Sequence, residues 1–293
     1  MRGLVWGYTG GKKTGLSLTR LVSAERVPGI MAPAILRKED VMEKKEVKAP
    51  LVARQYQREL ALRWPVKWLV APGQQACRCV ANKRRKRHEV WLTEAATAQP
   101  ELFLADIVHE LCHLHLAEQV DAVFGLVWFS EKWNQVGRAD PARFSRMAQM
   151  FYLAWCQIDI WVNDLRHERW PALTAADLES FAESMAVLIS RQSWEYLAEP
   201  TTLIGLAMYQ AERERHTYDS ADLFFALSAC GIRIDEKIIK LADFFKSLPR
   251  LSYKARKDLK LVESSVAEVA RRLEFPINPT LVLENELWVW DLG

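Results

Sequence analysis

No run of about 18 apolar residues occurs anywhere in the chain, so no segment of it reads as a membrane span. The opening stretch "MRGLVWGYTGGKKTG" has only a short apolar patch, broken by glycine, and does not read as a signal peptide. Cysteine is scarce as well. Five residues, an odd number without framework-like spacing, fit reduced thiols in a cytoplasmic protein. No internal repeat is visible. A dominant charge is missing too: 40 Lys and Arg against 37 acids leave +3, which gives no general reason to expect nucleic acid. What the chain has in quantity is apolar material. Half of its 293 residues are hydrophobic and 12 are Trp, ample for a sizeable core in one domain or a domain with an appendage.

Residues 1–50 show no sustained periodicity and read as a solvated arm, with the turn-rich "GGKKTG" and the charge run "RKEDVMEKKEVK". "LVARQYQRELALRW", from Leu51, reads as a helix stopped by Pro65. Three β-like runs follow at 66–71, 76–81 and 88–93, separated by turn residues such as Pro72-Gly73 and Asn82. The last two can pair as a hairpin with "NKRRKR" at its tip. Helices then dominate. Pro100 sits at a plausible first helical position, and that helix runs to about residue 118. Asp140-Pro141 starts another that reaches about His167, and Pro171 stops the pattern. Thr174 with Asp177 resembles a capping box opening a helix to about Leu197. Further helices are expected over 200–215, 220–230, 235–247 and 253–273, and the apolar tail "LVLENELWVW" as a strand closing on the core.

The chemistry concentrates in "HELCHLHL", residues 109–116. His109 and His113 are four apart, so on a helix both imidazoles lie on one face and can hold a single ion. Glu110 lies one residue round, placed to reach water at the metal as a general base without competing for the metal. The surrounding "ELFLADIVHELCHLHL" is apolar nearly all the way round, as in a buried helix. Polar groups there need partners, and a metal would satisfy all three. The plain alternative is a core helix with hydrogen-bonded histidines. His115, six residues from His109, points elsewhere and is rejected as a ligand.

A catalytic zinc site wants a third protein ligand. The segment "YLAWCQIDIWVNDLRHERW" offers Asp159 and Asn163, four apart in an apolar setting where a carboxylate needs a cation or strong donors. Asp159 reads as the third ligand and Asn163 as its hydrogen-bonded support. Asp164, one position round, is the rival carboxylate. An Asp159 paired with Arg166 or a backbone group is the metal-free alternative.

"HELCH" on one helix and "DIWVN" on a later one resemble the gluzincin side of the zincin metallopeptidases. ImmA/IrrE-type and HtpX-like enzymes carry an acid followed four positions later by Asn or Asp. Bacterial metallopeptidases found beside von Willebrand-like domains have an Asp-containing version similar to "DIWVN". The resemblance covers roughly residues 66–170. It implies zinc on His109, His113 and Asp159, water activation by Glu110, orientation of the site by Asn163, and a peptide or protein substrate. Two departures stand out: Asp replaces the commoner Glu, and Val162 stands where Ala is usual. In zincins a short sheet precedes the motif helix, and its edge strand holds an extended peptide by strand addition. The expected architecture is therefore α+β and mostly helical: an arm over 1–50, a zincin-like core over 51–171 with a small three-stranded sheet before the motif helix, and a helical C-terminal region over 172–293.

A donor should stabilise the oxyanion of the tetrahedral intermediate. His167, Tyr152, His216 and Tyr218 are candidates, and the sequence does not choose among them. The basic run Lys83, Arg84, Arg85, Lys86 and Arg87 can contact phosphates, because clustered cations release counterions on binding nucleic acid. A solvated turn is the favoured reading of it. Cys77 and Cys79 form C-x-C without a matching second pair, so buried free thiols are the default. The favoured function is zinc-dependent hydrolysis of peptide bonds. The alternatives are a catalytically silent zincin-like binding module, associated with nucleic acid through the basic hairpin 83–88, and a helical interaction protein with no metal.

Overall fold

The computed structural model describes residues 45–70, 73–74, 76–125, 127–190 and 199–293. The arm expected over 1–50 lies outside them up to residue 44. The chain is α+β and mostly helical. A four-stranded mixed sheet comes first: β1 (Lys45–Val47), β2 (Val66–Val70), β3 (Arg78–Asn82) and β4 (Arg87–Leu92), in the order β1-β2-β4-β3. β2 and β4 run parallel at its centre, and β1 and β3 flank them antiparallel. Three strands were expected; β1 is the fourth. Its sequence, Lys-Glu-Val, carries too little apolar content to mark a strand, and only pairing with β2 makes it one.

Period-two alternation sorts the sheet residues. Trp68, Ala81, Val90 and Leu92 join the main core, whereas Leu69 and Trp91 form a small separate cluster with Val80. β3 and β4 form the expected hairpin, turned through Lys83–Lys86 with Lys86 in the left-handed region at φ 45°.

Helix α1 (Leu51–Glu59) ends well before Trp64, contrary to the apolar pattern. Leu60 is buried, and Ala61 swings to φ 50°. The backbone N–H groups of Arg63 and Trp64 donate to Glu118 at 2.9 Å each rather than continuing the helix. A tertiary acceptor outcompetes the local helix here.

A short helix α2 (Glu94–Ala98) and a 3-10 turn (Pro100–Phe103) lead into α3 (Leu104–Gln119). α3 carries the His motif and has no Gly or Pro inside it. Ile107, Val108, Leu111, Cys112, Leu114 and Leu116 are fully buried, because α3 is enclosed by the sheet, by α1 and by a later helix. A second 3-10 turn (Ala122–Phe124) and α4 (Glu131–Ala139) follow, then α5 (Pro141–Trp155), capped by the Asp140 side chain on the Arg143 N–H at 2.9 Å. The helix expected to reach His167 in one piece tightens into a 3-10 turn at Cys156–Ile158 and resumes as α6 (Asp159–Arg169).

The pattern stops where expected, α6 ending at Arg169 just before Pro171, but Pro171 also starts α7 (Pro171–Ser190). Proline's fixed φ suits that position. Thr174 is therefore inside the helix and fully buried rather than a cap, and Asp177 pairs with Arg166. The expected end near Leu197 lies outside the described residues. α8 (Pro200–Arg215), α9 (Leu223–Ala229), α10 (Glu236–Ser247) and α11 (Ala255–Arg272) match the expected helical runs. The tail forms a hairpin, β5 (Thr280–Glu284) and β6 (Leu287–Asp291), turned at Asn285-Glu286. Its Trp290 is fully buried and donates its backbone N–H to the Trp128 carbonyl at 2.7 Å. One apolar core runs from Ala53 to Leu292, so residues on both sides of position 171 share it. No helix among the described residues is long and apolar enough to cross a membrane.

Candidate metal centre

α3 packs on α6 at the level of the two motifs. On α3 the four-residue spacing stacks His109 and His113 one turn apart, with ring centroids 4.8 Å apart. On α6 the same spacing presents Asp159 and Asn163 to them. His113 Nε2 lies 3.1 Å from Asp159 Oδ1 and 3.1 Å from His109 Nε2, and His109 Nε2 lies 3.6 Å from the same carboxylate oxygen. One ligand atom from each of the three residues falls within 4.8 Å of the others. His113 and Asp159 are buried and His109 is half-buried.

The opposite ring nitrogens are already engaged. His109 Nδ1 meets Asn163 Oδ1 at 3.1 Å, and His113 Nδ1 meets the Phe124 carbonyl at 2.7 Å. Both partners can only accept, so each Nδ1 carries the hydrogen. In the neutral rings both Nε2 atoms then hold lone pairs. Two imidazole lone pairs and a carboxylate oxygen face one another with no donor among them. At these separations they repel unless a cation or proton lies between them. Without a metal the proton takes that place. Burial works against a charged His113, but the hydrogen bond and charge of Asp159 outweigh it and raise the imidazole's pKa. Burial likewise opposes ionisation of Asp159, yet His109 and His113 hold its carboxyl well below the usual carboxylate range. His109, His113 and Asp159 thus form a buried group that can hold a metal ion. Comparison with protein families, with curated proteins and with solved structures finds no match for this chain.

Glu110 sits on the sheet side of the same helix turn. The Cys79 thiol of β3 hydrogen-bonds to its carboxylate. Burial raises the Glu110 pKa, while His113, His109 and the thiol limit the rise. Burial also lifts the Cys79 thiol well above its ordinary value, so it stays a protonated donor. β3 is an edge strand with β4 as its one partner among the described residues, and it packs on α3.

The other candidates fall elsewhere. Asp164 is taken by Arg215, which grips both its oxygens at 2.6 and 2.7 Å, and by His216 at 3.3 Å. That leaves Asp159 as the acid beside the imidazoles. Asp159 does not pair with Arg166, whose guanidinium goes to Asp177 at 2.7 Å. His115 turns to the Leu60 carbonyl at 2.9 Å. His167 hydrogen-bonds to the Tyr218 hydroxyl and stacks on His216 at 4.1 Å, so these three candidates group with Asp164 rather than with His109, His113 and Asp159. Tyr152 is different. Its ring lies 6.3 Å from Trp155, and Trp155 stacks on His113 at 6.5 Å. Burial raises the Tyr152 phenol's pKa.

At the hairpin tip, Lys83 pairs with Asp121 at 2.7 Å, Arg84 donates to the Asn285 carbonyl at 3.3 Å, and Arg87 pairs with Glu89 at 3.0 Å. Arg85 and Lys86 are exposed. Sequence reasoning missed three supports: the Phe124 carbonyl, the Cys79 contact and Glu212 of α8, which accepts from Asn163 Nδ2 at 2.5 Å. A backbone carbonyl leaves no side-chain signature. Glu212 stands 49 residues beyond Asn163, in a helix whose pattern alone reads as ordinary.

Proposed function

We propose that this chain is a zinc-dependent metallopeptidase of the zincin kind, its core formed by the sheet, α3 and α6. The reading rests on one observation: both Nδ1 atoms are committed to acceptors, so two Nε2 lone pairs and the Asp159 carboxylate converge on one point. That is the preparation a His/His/carboxylate metal site needs. Zinc held there would supply Lewis acidity and make water at the site acidic enough to lose a proton near neutral pH.

The protein groups do the rest. Glu110 accepts the proton given up by the attacking water and passes it to the leaving amine. Its raised pKa brings it towards the working pH, where a general base that must also act as an acid is most useful. The Cys79 thiol holds the carboxylate in place. Asp159 offsets the charge of the ion. Tyr152, which keeps its proton, is the candidate joined to the site by an aromatic contact and is assigned as the oxyanion donor. A peptide pairing with the free edge of β3 would lie beside Glu110, which supports the strand-addition mode of binding.

The test is metal analysis of the purified full chain, then proteolysis of unfolded proteins by wild type and Glu110→Gln. About one zinc per chain is expected in both, with the rate falling on the order of 10²–10⁴-fold in the variant. Zinc without cleavage in wild type would turn the protein into a binding module. No zinc in either protein would end the metal reading.

A further inference from the structure

α8 lies in the C-terminal helical region, to which the hydrolase reading gives no task. Near its end Glu212 turns inward and is 4% exposed. Burying a carboxylate is costly unless its partners are well placed. Burial pushes the Glu212 pKa up to about 8, and the Arg166 guanidinium and a hydrogen bond from Asn163 Nδ2 limit the rise. Arg166 is itself buried, donates to Asp177 Oδ2 at 2.7 Å and reaches the Ala105 carbonyl at 3.4 Å. A polar network therefore joins α3, α6, α7 and α8 directly behind the metal ligands.

We propose that Glu212 is a positioning residue for the metal centre: by holding the amide end of Asn163, it fixes which nitrogen of His109 carries the hydrogen. This rests on the metal reading above for its purpose, but not for its geometry. A carboxamide has a donor end and an acceptor end, and nothing in its shape prevents a flip between them. Asn163 Nδ2 donates to Glu212 Oε1, which accepts as a carboxylate or as the carbonyl oxygen of the neutral acid, so the Asn163 NH₂ faces it. With its NH₂ donating to Glu212 Oε1, Asn163 turns Oδ1 towards His109 Nδ1, 3.1 Å away. Oδ1 can only accept, so His109 is protonated at Nδ1 and its Nε2 is left bare towards His113 and Asp159. Without Glu212, Asn163 can present its NH₂ to Nδ1 instead. His109 then takes the Nε2–H form, which has no lone pair for an ion. The C-terminal region thereby acquires a role: it sets the tautomer of a ligand on a helix about a hundred residues earlier in the chain.

The experiment uses the full chain in two states. Metal-free protein is examined by ¹⁵N NMR of the His109 ring, and zinc affinity is measured by competition with a chelator. Wild type should show the Nδ1–H form. Glu212→Ala, or Glu212→Met where alanine leaves too large a void to fold around, should show a mixture. The same variants should bind zinc about 10–100-fold more weakly, the range seen when ligand-orienting partners are lost. Glu212→Gln retains an acceptor and should recover most of that loss. Asn163→Ala combined with Glu212→Ala should be no worse than Asn163→Ala alone. Glu214→Ala, on the same helix but paired with Lys246 at 2.6 Å, should change neither readout. An Nε2–H tautomer in wild type would overturn the proposal without any variant. So would a Glu212→Met protein with unchanged tautomer and affinity, or additive losses in the double variant. A wild type that binds no zinc, but whose His109 tautomer still follows Glu212, would sink the metal reading and leave the positioning role standing.

Discussion

Asp159 and Asp164 make a sharp experiment, because they are five residues apart on one helix and face different partners. Both are buried, and both have carboxyls that separate sets of basic neighbours hold below their ordinary value against the opposing effect of burial. Asp159 leans on two histidines; Asp164 is gripped by Arg215 and His216. Replacing each by Asn keeps shape and hydrogen-bonding capacity but removes the charge. On the proposed zinc reading, Asp159→Asn should weaken zinc binding by at least about 100-fold, since it would replace a ligand rather than a support, and supports alone are worth 10–100-fold. Its metal-free stability should fall at low pH, where the carboxylate pairs with a charged His113, and change little above the raised His113 value, where the amide can still hydrogen-bond neutral rings.

Asp164→Asn should do the reverse. It leaves the Arg215 guanidinium buried without its counter-charge, a loss of about 3 kcal/mol at the low end for a broken buried pair. At roughly 2–4 °C per kcal/mol for a protein near this size, the melting temperature should fall by about 6–12 °C. Zinc stoichiometry should stay at one. Thermal unfolding in a chelator, with metal content and chelator competition, reads both axes. Zinc retained by Asp159→Asn and lost by Asp164→Asn would refute the ligand assignment outright.

The sign of the pH dependence follows from His113. Its folded pKa is raised above the ordinary 6.5, so its contribution to metal-free stability is complete below about pH 6.5 and disappears as pH rises through the raised value. Zinc must displace that proton, so the zinc-induced rise in melting temperature should be larger at pH 8 than at pH 6; an equal rise at both would contradict it. Gly125→Ala should be destabilising by about 1–3 kcal/mol, because its Cβ would sit 2.6 Å from the Ala81 Cβ. It should weaken zinc binding as well, since Gly125 follows the Phe124 carbonyl that anchors His113; unfolding and chelator competition on one sample would show both. Neutralising Arg85 and Lys86 at the hairpin tip should leave cleavage of an unfolded protein unchanged. An altered DNA affinity with a shallower salt dependence would revive the nucleic-acid reading.

The elements that could be read from sequence are those whose local pattern and final packing agree. α3 is apolar nearly all the way round and lies in the core, and the three expected strands alternate as their two faces require. Where local pattern and packing disagree, the packing decides. α1 should continue to Trp64, but Glu118 captures the two N–H groups needed to extend it. Thr174 looks like a cap and instead lies buried inside the helix that Pro171 begins.

The sequence by itself determined that His109 and His113 share a helix face with Glu110 beside them, because the helical repeat makes a four-residue spacing a contact. It also supplied the two rival acids of α6. Only the tertiary structure decided between those acids, by giving Asp164 to Arg215 and leaving Asp159 with the imidazoles. The Phe124 carbonyl and Glu212, which hold the rings and their supports in place, also came only from the fold. The division has one cause. Spacing along a helix is fixed by backbone geometry within a turn or two, whereas the partner of a buried charge is whichever group the packing of distant segments brings within reach.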